Sequence, residues 1–400
     1  MSPELSRRSF LGGGAAGLAL GGLGGFAGAK ATTDPEPIGV AGETIEARGP
    51  RQAGIATVET NFANLVAFRV SAGGSENMAR LMRLWSDNIV RLTAGQPSLT
   101  DTEPELATNP SKLTITVGIG PGFFVGDLEN RKPAWLTQLP AYPIDDLRDE
   151  WSGGDIALLI ACEDPLTLSH AQRVMIREAQ DFTEVAWVQT GFRNTAATAK
   201  EGATPRNLFG QIDGSINPDP ETEPELVFRT GGEEWMVDGT TLVVRRIAMN
   251  LDTWDELDRP AREVVIGRDL ATGAPLTGGS EKDPIDLEAV NSLGFPRIDL
   301  AAHARRAQTG DTSQRIYRRP YNYDLNLTGE SRQTGQLANA GQVFLSFQAD
   351  IDHQFKPIQE KLAEMDLLNQ WTVPIGSSVF AIPPGFGAGN RDYLLQDLLG

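Results

Sequence analysis

The chain has 400 residues, room for two ordinary domains or one large one, and an apolar fraction of 40% supports a real core without a bundle of membrane spans. A formal charge of −18 argues against a protein built to grip a nucleic-acid backbone, which demands a basic surface. A single cysteine, Cys162, excludes an intramolecular disulfide and any multi-cysteine metal or iron–sulfur site; it sits in the apolar run DIALLIAC and reads as a small buried core residue.

Residues 1–29 read as an address. Ser6-Arg7-Arg8-Ser9-Phe10-Leu11 precedes the weakly hydrophobic stretch GGGAAGLALGGLGGFAGA, the pattern of a twin-arginine export signal. Ala27-Gly28-Ala29 suits a signal peptidase, so a periplasmic, cell-envelope or extracellular destination is expected. Residues 30–53 are polar and punctuated by Pro35, Pro37, Gly39, Gly42 and Pro50, and read as a flexible tether.

From residue 54 the hydrophobic periodicity alternates between strand and helix. Strands are expected at 64–71, 112–120, 155–164 and 184–192, with amphipathic helices at 76–92 and 166–181. The order strand–helix–strand, strand–helix–strand is that of a ferredoxin-like unit, placed at 54–205. A second such unit, at 206–400, is expected to hold strands at 241–250, 342–350 and 377–384. Its helices are expected at 254–268, with a proline break, and at 353–368. The fold class read from this is α+β with antiparallel sheets. The loop-rich segment 268–341 is long for a compact domain, and such segments are usually functional.

That segment carries His303–Tyr323, with one of only three histidines, followed by Arg318-Arg319-Pro320-Tyr321-Asn322-Tyr323. A neutral imidazole is a good axial ligand for haem iron, and a nearby guanidinium stabilises negative charge on oxygen. By residue type alone, a lone histidine is more often a satisfied core or helix-end residue than a ligand, and an arginine pair more often a solvated face or salt-bridge partners. The other histidines offer less: His170 reads as solvated on a helix face, and His353 as an ordinary polar residue opening a helix. GIGPGF at 118–123 lacks dinucleotide-loop spacing and reads as a turn after a strand, and no hydrolase or zinc-protease motif occurs. FGQIDGSINP at 209–218 is, on its own, a turn signal built on Asp213-Gly214.

Taken together these stretches resemble a known family. Gly210-Gln211-Ile212-Asp213-Gly214 matches the G-x-x-D-G motif of dye-decolourising (DyP-type) haem peroxidases. TPRNLF, GIATVETNFANLVAFRV, LTITVGIGPGFF, LVVRRIAMNLDTWDEL, VIGRDLATGAPL, HARRA, RRPYNY and SVFAIPPG are similar to its exported branch, which includes deferrochelatase-like members. The resemblance covers nearly all the mature chain. It implies two ferredoxin-like units of the dimeric α/β-barrel type, with one haem b held by the C-terminal half. His303 would be the proximal iron ligand, and Asp213 and Arg318 the distal catalytic pair. Arg268 would contact the haem, and Gly214, Ser215 and Ile216 would lie over it. Where the family often has Asn-Pro-Arg, this chain has Gln308-Thr309-Gly310, which leaves Arg305 or Arg306 to replace a contact to the haem propionates. The implied activity is oxidation of dyes and phenolic compounds by hydrogen peroxide, in one-electron steps through a ferryl porphyrin radical. Tyr317, Tyr321 and Tyr323 lie closest in sequence to the site as electron relays, with packing as their alternative role. The alternatives in function are a deferrochelatase of an iron-uptake system and a non-enzymatic haem carrier. Implied partners are peroxide, the reducing substrate and the twin-arginine export machinery, with a homo-oligomer left open.

Overall fold

The computed structural model describes residues 39–194, 204–327 and 338–400. The proposed signal at 1–29 and the start of the tether lie outside the described residues. From residue 37 onward the chain forms one compact unit.

The N-terminal half runs β1 (Phe62–Val70), α1 (Ser75–Thr93), β2 (Thr114–Ile119), β3 (Ile156–Cys162), α2 (Pro165–Ala179) and β4 (Thr183–Phe192). The C-terminal half runs β5 (Thr240–Met249), α3 (Arg259–Ile266), a short turn of helix α4 (His303–Arg306), β6 (Tyr317–Arg318), β7 (Tyr321–Leu325), β8 (Asn339–Gln348), α5 (Lys356–Met365) and β9 (Thr372–Ile382). Spatial order in the first half is β2-β3-β1-β4, and in the second β9-β5-β8-β7, with every pairing antiparallel. Numbered within each half, both orders are 4-1-3-2, the ferredoxin-like arrangement.

β6 and β7 lie end to end along β8 in one continuous register, Tyr317 opposite Phe347 and Tyr321 opposite Val343, interrupted at Arg319-Pro320. This is the strand that sequence periodicity did not supply for the second half. The two sheets also join each other, β2 to β9 and β4 to β7, so the pairings return on themselves as a ring. Alternation along the strands then sorts side chains to two sides. Leu65, Leu159, Leu242, Val244, Leu345 and Phe347 share one core drawn from both halves. Val66, Phe68, Leu158, Ile160, Val243 and Val379 face the other way, into the core that includes Trp85 of α1 and Val174 of α2.

Two expectations are corrected here. The tether expected over 30–53 is not free in its described part. Gln52 is 5% exposed, and its amide donates to the Val117 and Pro383 carbonyls, each at 2.9 Å, so this segment is stitched across the ring. His170, expected to be solvated, is 2% exposed, with Nε2 2.9 Å from Asp101 Oδ2. Cys162 is buried as expected, and burial pushes its thiol up to about 12. The GIGPGF stretch is a strand end followed by the 3-10 turn Pro121–Phe123.

Candidate functional site

The turn after Phe209 is built by its sequence. Gly214 has φ +115°, a backbone that L side chains rarely adopt, and Asn217 N–H closes the turn onto the Gly214 carbonyl at 3.1 Å. The turn holds Asp213 against the C-terminal sheet. One Asp213 oxygen accepts from Arg318 Nη1 at 2.7 Å, and the other from Gln342 Nε2 at 2.9 Å. Arg318 lies on β6 and Gln342 on β8. Strand alternation decides which arginine of the pair reaches the carboxylate. Arg319 points to the opposite side, where it is 3% exposed and its Nη1 donates to the Ile55 carbonyl at 2.8 Å.

His303 opens α4, and Nδ1 lies 2.6 Å from Asp366 Oδ2, a carboxylate just past the end of α5. No hydrogen-bond partner meets Nε2 among the described residues, and the side chain is 32% exposed. The histidine and the distal pair lie within electrostatic reach of each other. Burial pushes the Asp213 carboxyl up, but Arg318, the Gln342 hydrogen bond, His303 and Arg193 together outweigh it and hold the group below the usual carboxylate range. Burial lowers the His303 imidazole, and the bonded Asp366 carboxylate more than reverses this, raising it.

The remaining candidates are placed as follows. Arg268 Nη1 donates to the Gly273 and Glu281 carbonyls, each at 2.7 Å, while its Nη2 is buried with no partner among the described residues. Arg305 Nη2 is committed to the Leu287 and Ile298 carbonyls at 2.8 and 3.2 Å, and Arg306 to Lys361 and Glu364. Ser215 is half-buried, and Ile216 is exposed beside the turn. Tyr321 and Tyr323 are buried in the core of the ring, and Tyr317 packs against it, so packing is their visible role. Sequence reading missed Asp366, Gln342 and Asn217. The first two lie 63 and 129 residues from their partners His303 and Asp213, so no local signal announced them; Asn217 stood in the quoted motif but read only as a turn residue.

Two cavities among the described residues are not lined by His303. The larger, about 470 Å³, is lined by Arg48, Arg83, Phe386 and Tyr393. A much smaller one touches Asp213 together with Arg193, Asn322 and Gln342. A separate trio, Asp101, Glu103 and His170, has ligand-type atoms within 4.8 Å of one another, but it lies on α2 and the loop before the 3-10 turn Pro104–Ala107 and does not include His303.

Family models for the Dyp-type peroxidase N-terminal and C-terminal regions match residues 52–193 and 204–386. The chain belongs to the DyP-type peroxidase family. Its relatives in this family include a dye-decolorizing peroxidase of Thermobifida fusca, 36% identical over 98% of this chain and 97% of the relative. A deferrochelatase of Yersinia pseudotuberculosis is 32% identical over 88% of this chain and 84% of the relative. Among solved structures, a DyP-type peroxidase from Cellulomonas bogoriensis superposes with a TM-score of 0.86 at 47% identity, covering 90% of this chain and 99% of that one. The stretch Gly210–Gly214 that resembles G-x-x-D-G is the Asp213 turn described above, with Asp213 bonded to Arg318 and Gln342.

Proposed function

We propose that this chain is a haem b peroxidase that uses hydrogen peroxide to oxidise dyes and phenolic compounds. The observation that carries the reading is one arrangement. A half-exposed imidazole with a carboxylate on Nδ1 and a free Nε2 lies within electrostatic reach of an ionised carboxylate bonded to an arginine. The donor set fits haem. A metal-binding histidine usually gives its other ring proton to a carboxylate, which fixes the tautomer and raises ligand basicity, and Asp366 is placed for that. The buried, unpartnered Arg268 Nη2 suits an anionic group such as a propionate. Arg305 gives Nη2 to two carbonyls of the 285–300 region, and its buried Nε, like Arg268 Nη2, has no partner among the described residues. Exposed Ile216 and the Gly214-Ser215 backbone would lie over the porphyrin, putting one haem per chain in the C-terminal half of a fold of the dimeric α/β-barrel type.

Bound haem supplies the iron at which peroxide is activated and from which electrons are exchanged. The chain's own part is proton handling and charge. Asp213, held ionised, would take the proton from one peroxide oxygen and return it to the other, which would leave as water. Arg318 stabilises the charge that develops between these transfers and keeps the carboxylate ionised. Gln342 fixes the second Asp213 oxygen and so orients the group.

The leader at 1–29 fits export through the twin-arginine pathway after haem loading. Arg7→Lys with Arg8→Lys should leave the precursor in the cytoplasm with its haem.

The test of function is the absorbance spectrum of the purified protein before and after one equivalent of hydrogen peroxide, followed by a phenolic reductant. A histidine-ligated haem spectrum that changes within seconds and returns on addition of reductant is expected. Release of iron-free porphyrin would instead favour the deferrochelatase activity, and inert bound haem would favour a carrier.

A further inference from the structure

Arg318 carries the charge at the distal pair, yet Asp213 is the one hydrogen-bond partner of its guanidinium among the described residues. A long side chain tied at its tip alone depends on how its backbone is held. In an antiparallel pair, successive residues present their N–H and C=O groups alternately toward and away from the partner strand. Arg319 N–H donates to Leu345 on β8 at 2.9 Å, so Arg318 turns its backbone groups outward. There the side chain of Asn217 meets both. Its Nδ2 donates to the Arg318 carbonyl at 2.7 Å, and its Oδ1 accepts from the Arg318 N–H at 3.2 Å. One amide thus takes the place of a neighbouring strand residue.

Asn217 belongs to the same turn as Asp213, four residues further on, and is set by the Asn217–Gly214 backbone bond. The turn therefore grips Arg318 twice, by the side-chain tip through Asp213 and by the backbone through Asn217.

We propose that Asn217 is a positioning residue that fixes the Arg318 backbone against the turn carrying Asp213, so that carboxylate and guanidinium keep their registration during turnover. The proposal rests on the peroxidase reading for what the pair does, but the geometry it invokes belongs to the chain alone. A displacement of about 1 Å at a reacting group costs on the order of 10²-fold in rate, so a backbone clamp of this kind has a functional consequence.

The test replaces the amide by a side chain of similar shape, Asn217→Leu, with Asn217→Ser as a second variant should the first fold poorly. The readout is the titration of the Asp213 carboxyl by carbon-13 NMR of the full chain, with and without haem. Arg318→Leu serves as the reference and the double variant completes a cycle. Asn217→Leu should raise the Asp213 midpoint by about 1 unit, the low end of what a neighbouring cation contributes. In the Arg318→Leu background it should add nothing. An unchanged midpoint in Asn217→Leu, or the same rise with and without Arg318, would overturn the clamp. In the haem-loaded protein, fluoride affinity should weaken about tenfold on Asn217→Leu with haem content unchanged, because a displaced arginine donates less well to an anion at the iron. A parent protein that takes up no haem would sink the peroxidase reading, and the haem-free titration would still decide the clamp.

Discussion

In the N-terminal half, His170 of α2 meets Asp101 through Nε2 at 2.9 Å, with its side chain 3% exposed and that of Asp101 fully covered. In the C-terminal half, His303 of α4 meets Asp366 through Nδ1 at 2.6 Å, with the carboxylate buried but the imidazole 32% exposed. The same two residue types, similarly bonded, end in different situations. The second nitrogen of His170 is buried and has no hydrogen-bond partner among the described residues, and the pair ties a loop to a helix. The second nitrogen of His303 is open. What separates a structural histidine from a candidate ligand is the surroundings of the nitrogen that the carboxylate does not use.

The sharpest way to break this contrast is to remove each imidazole. His303→Ala should fold and lose most of its haem, whereas His170→Ala should keep its haem and lose stability. Haem-to-protein ratio and thermal midpoint of both variants decide it. Full haem content in His303→Ala would place the ligand elsewhere.

The next largest effects concern the Asp213–Arg318 pair. Asp213→Asn keeps the shape and removes the proton acceptor. The peroxide step should slow by about 10²–10⁴-fold, with partial rescue by external base. Arg318→Leu should cost about 10²–10³-fold without such rescue. Stopped-flow absorbance after mixing with peroxide measures both. A parental rate in Asp213→Asn would make the arginine the main catalyst.

The pH dependence follows from the sign of the Asp213 shift. Its folded pKa is depressed, so the working ionised form persists below the usual carboxylate range and is lost only as pH falls through the folded value. The peroxide step should survive into mildly acid solution, and Arg318→Leu should move the acid limb to higher pH. An acid limb that does not move in that variant would separate the arginine from the carboxylate.

The smallest effects come from the two aspartates. Asp366→Asn should weaken haem retention by about 10–100-fold, the usual scale for a lost partner of a ligating histidine. Asp101→Asn should leave haem untouched and cost about 1–3 kcal/mol of stability, as expected for a buried histidine left with a poorer partner. Haem transfer to apomyoglobin and denaturant unfolding read the two.

Much of this was legible in the sequence, and the failures have physical causes. Strands with one polar face, such as β4, and helices with one apolar face were placed within a few residues. β7 was missed because Tyr321, Asn322 and Tyr323 are all buried between β8 and β4, so no alternation marks them. β9 begins at Thr372, before the expected start at residue 377, because Pro374 sits where the register with β5 shifts and a proline costs no regular ladder bond. His170 looked solvated because its neighbours in sequence are polar, while its partner Asp101 is 69 residues away. Motif resemblance drew attention to Asp213, Arg318 and His303. The groups that orient them, Gln342, Asn217 and Asp366, act across distances that a linear reading cannot span.

The ring of strands determines where the molecule can open. Each sheet is zipped by long registers, ten pairs between β5 and β9, whereas the halves meet through Ile119 with Ala381 on one side and Phe192 with Asn322 on the other. Bare backbone makes both junctions possible. A methyl on Gly118 would fall 2.7 Å from Ile382 Cδ1, and one on Gly191 would fall 2.6 Å from Tyr321 Cβ. Amides along these two lines should therefore exchange with solvent ahead of those within either sheet. At Gly118 the atom met is the end of the Ile382 side chain, which can turn aside, whereas at Gly191 it is the Tyr321 Cβ, fixed to the backbone, so a bulkier residue there should strain the β4–β7 junction and loosen its strand edges. One residue without a side chain, Gly191, thus lets two strand edges close on each other that would otherwise be open to pairing with another chain.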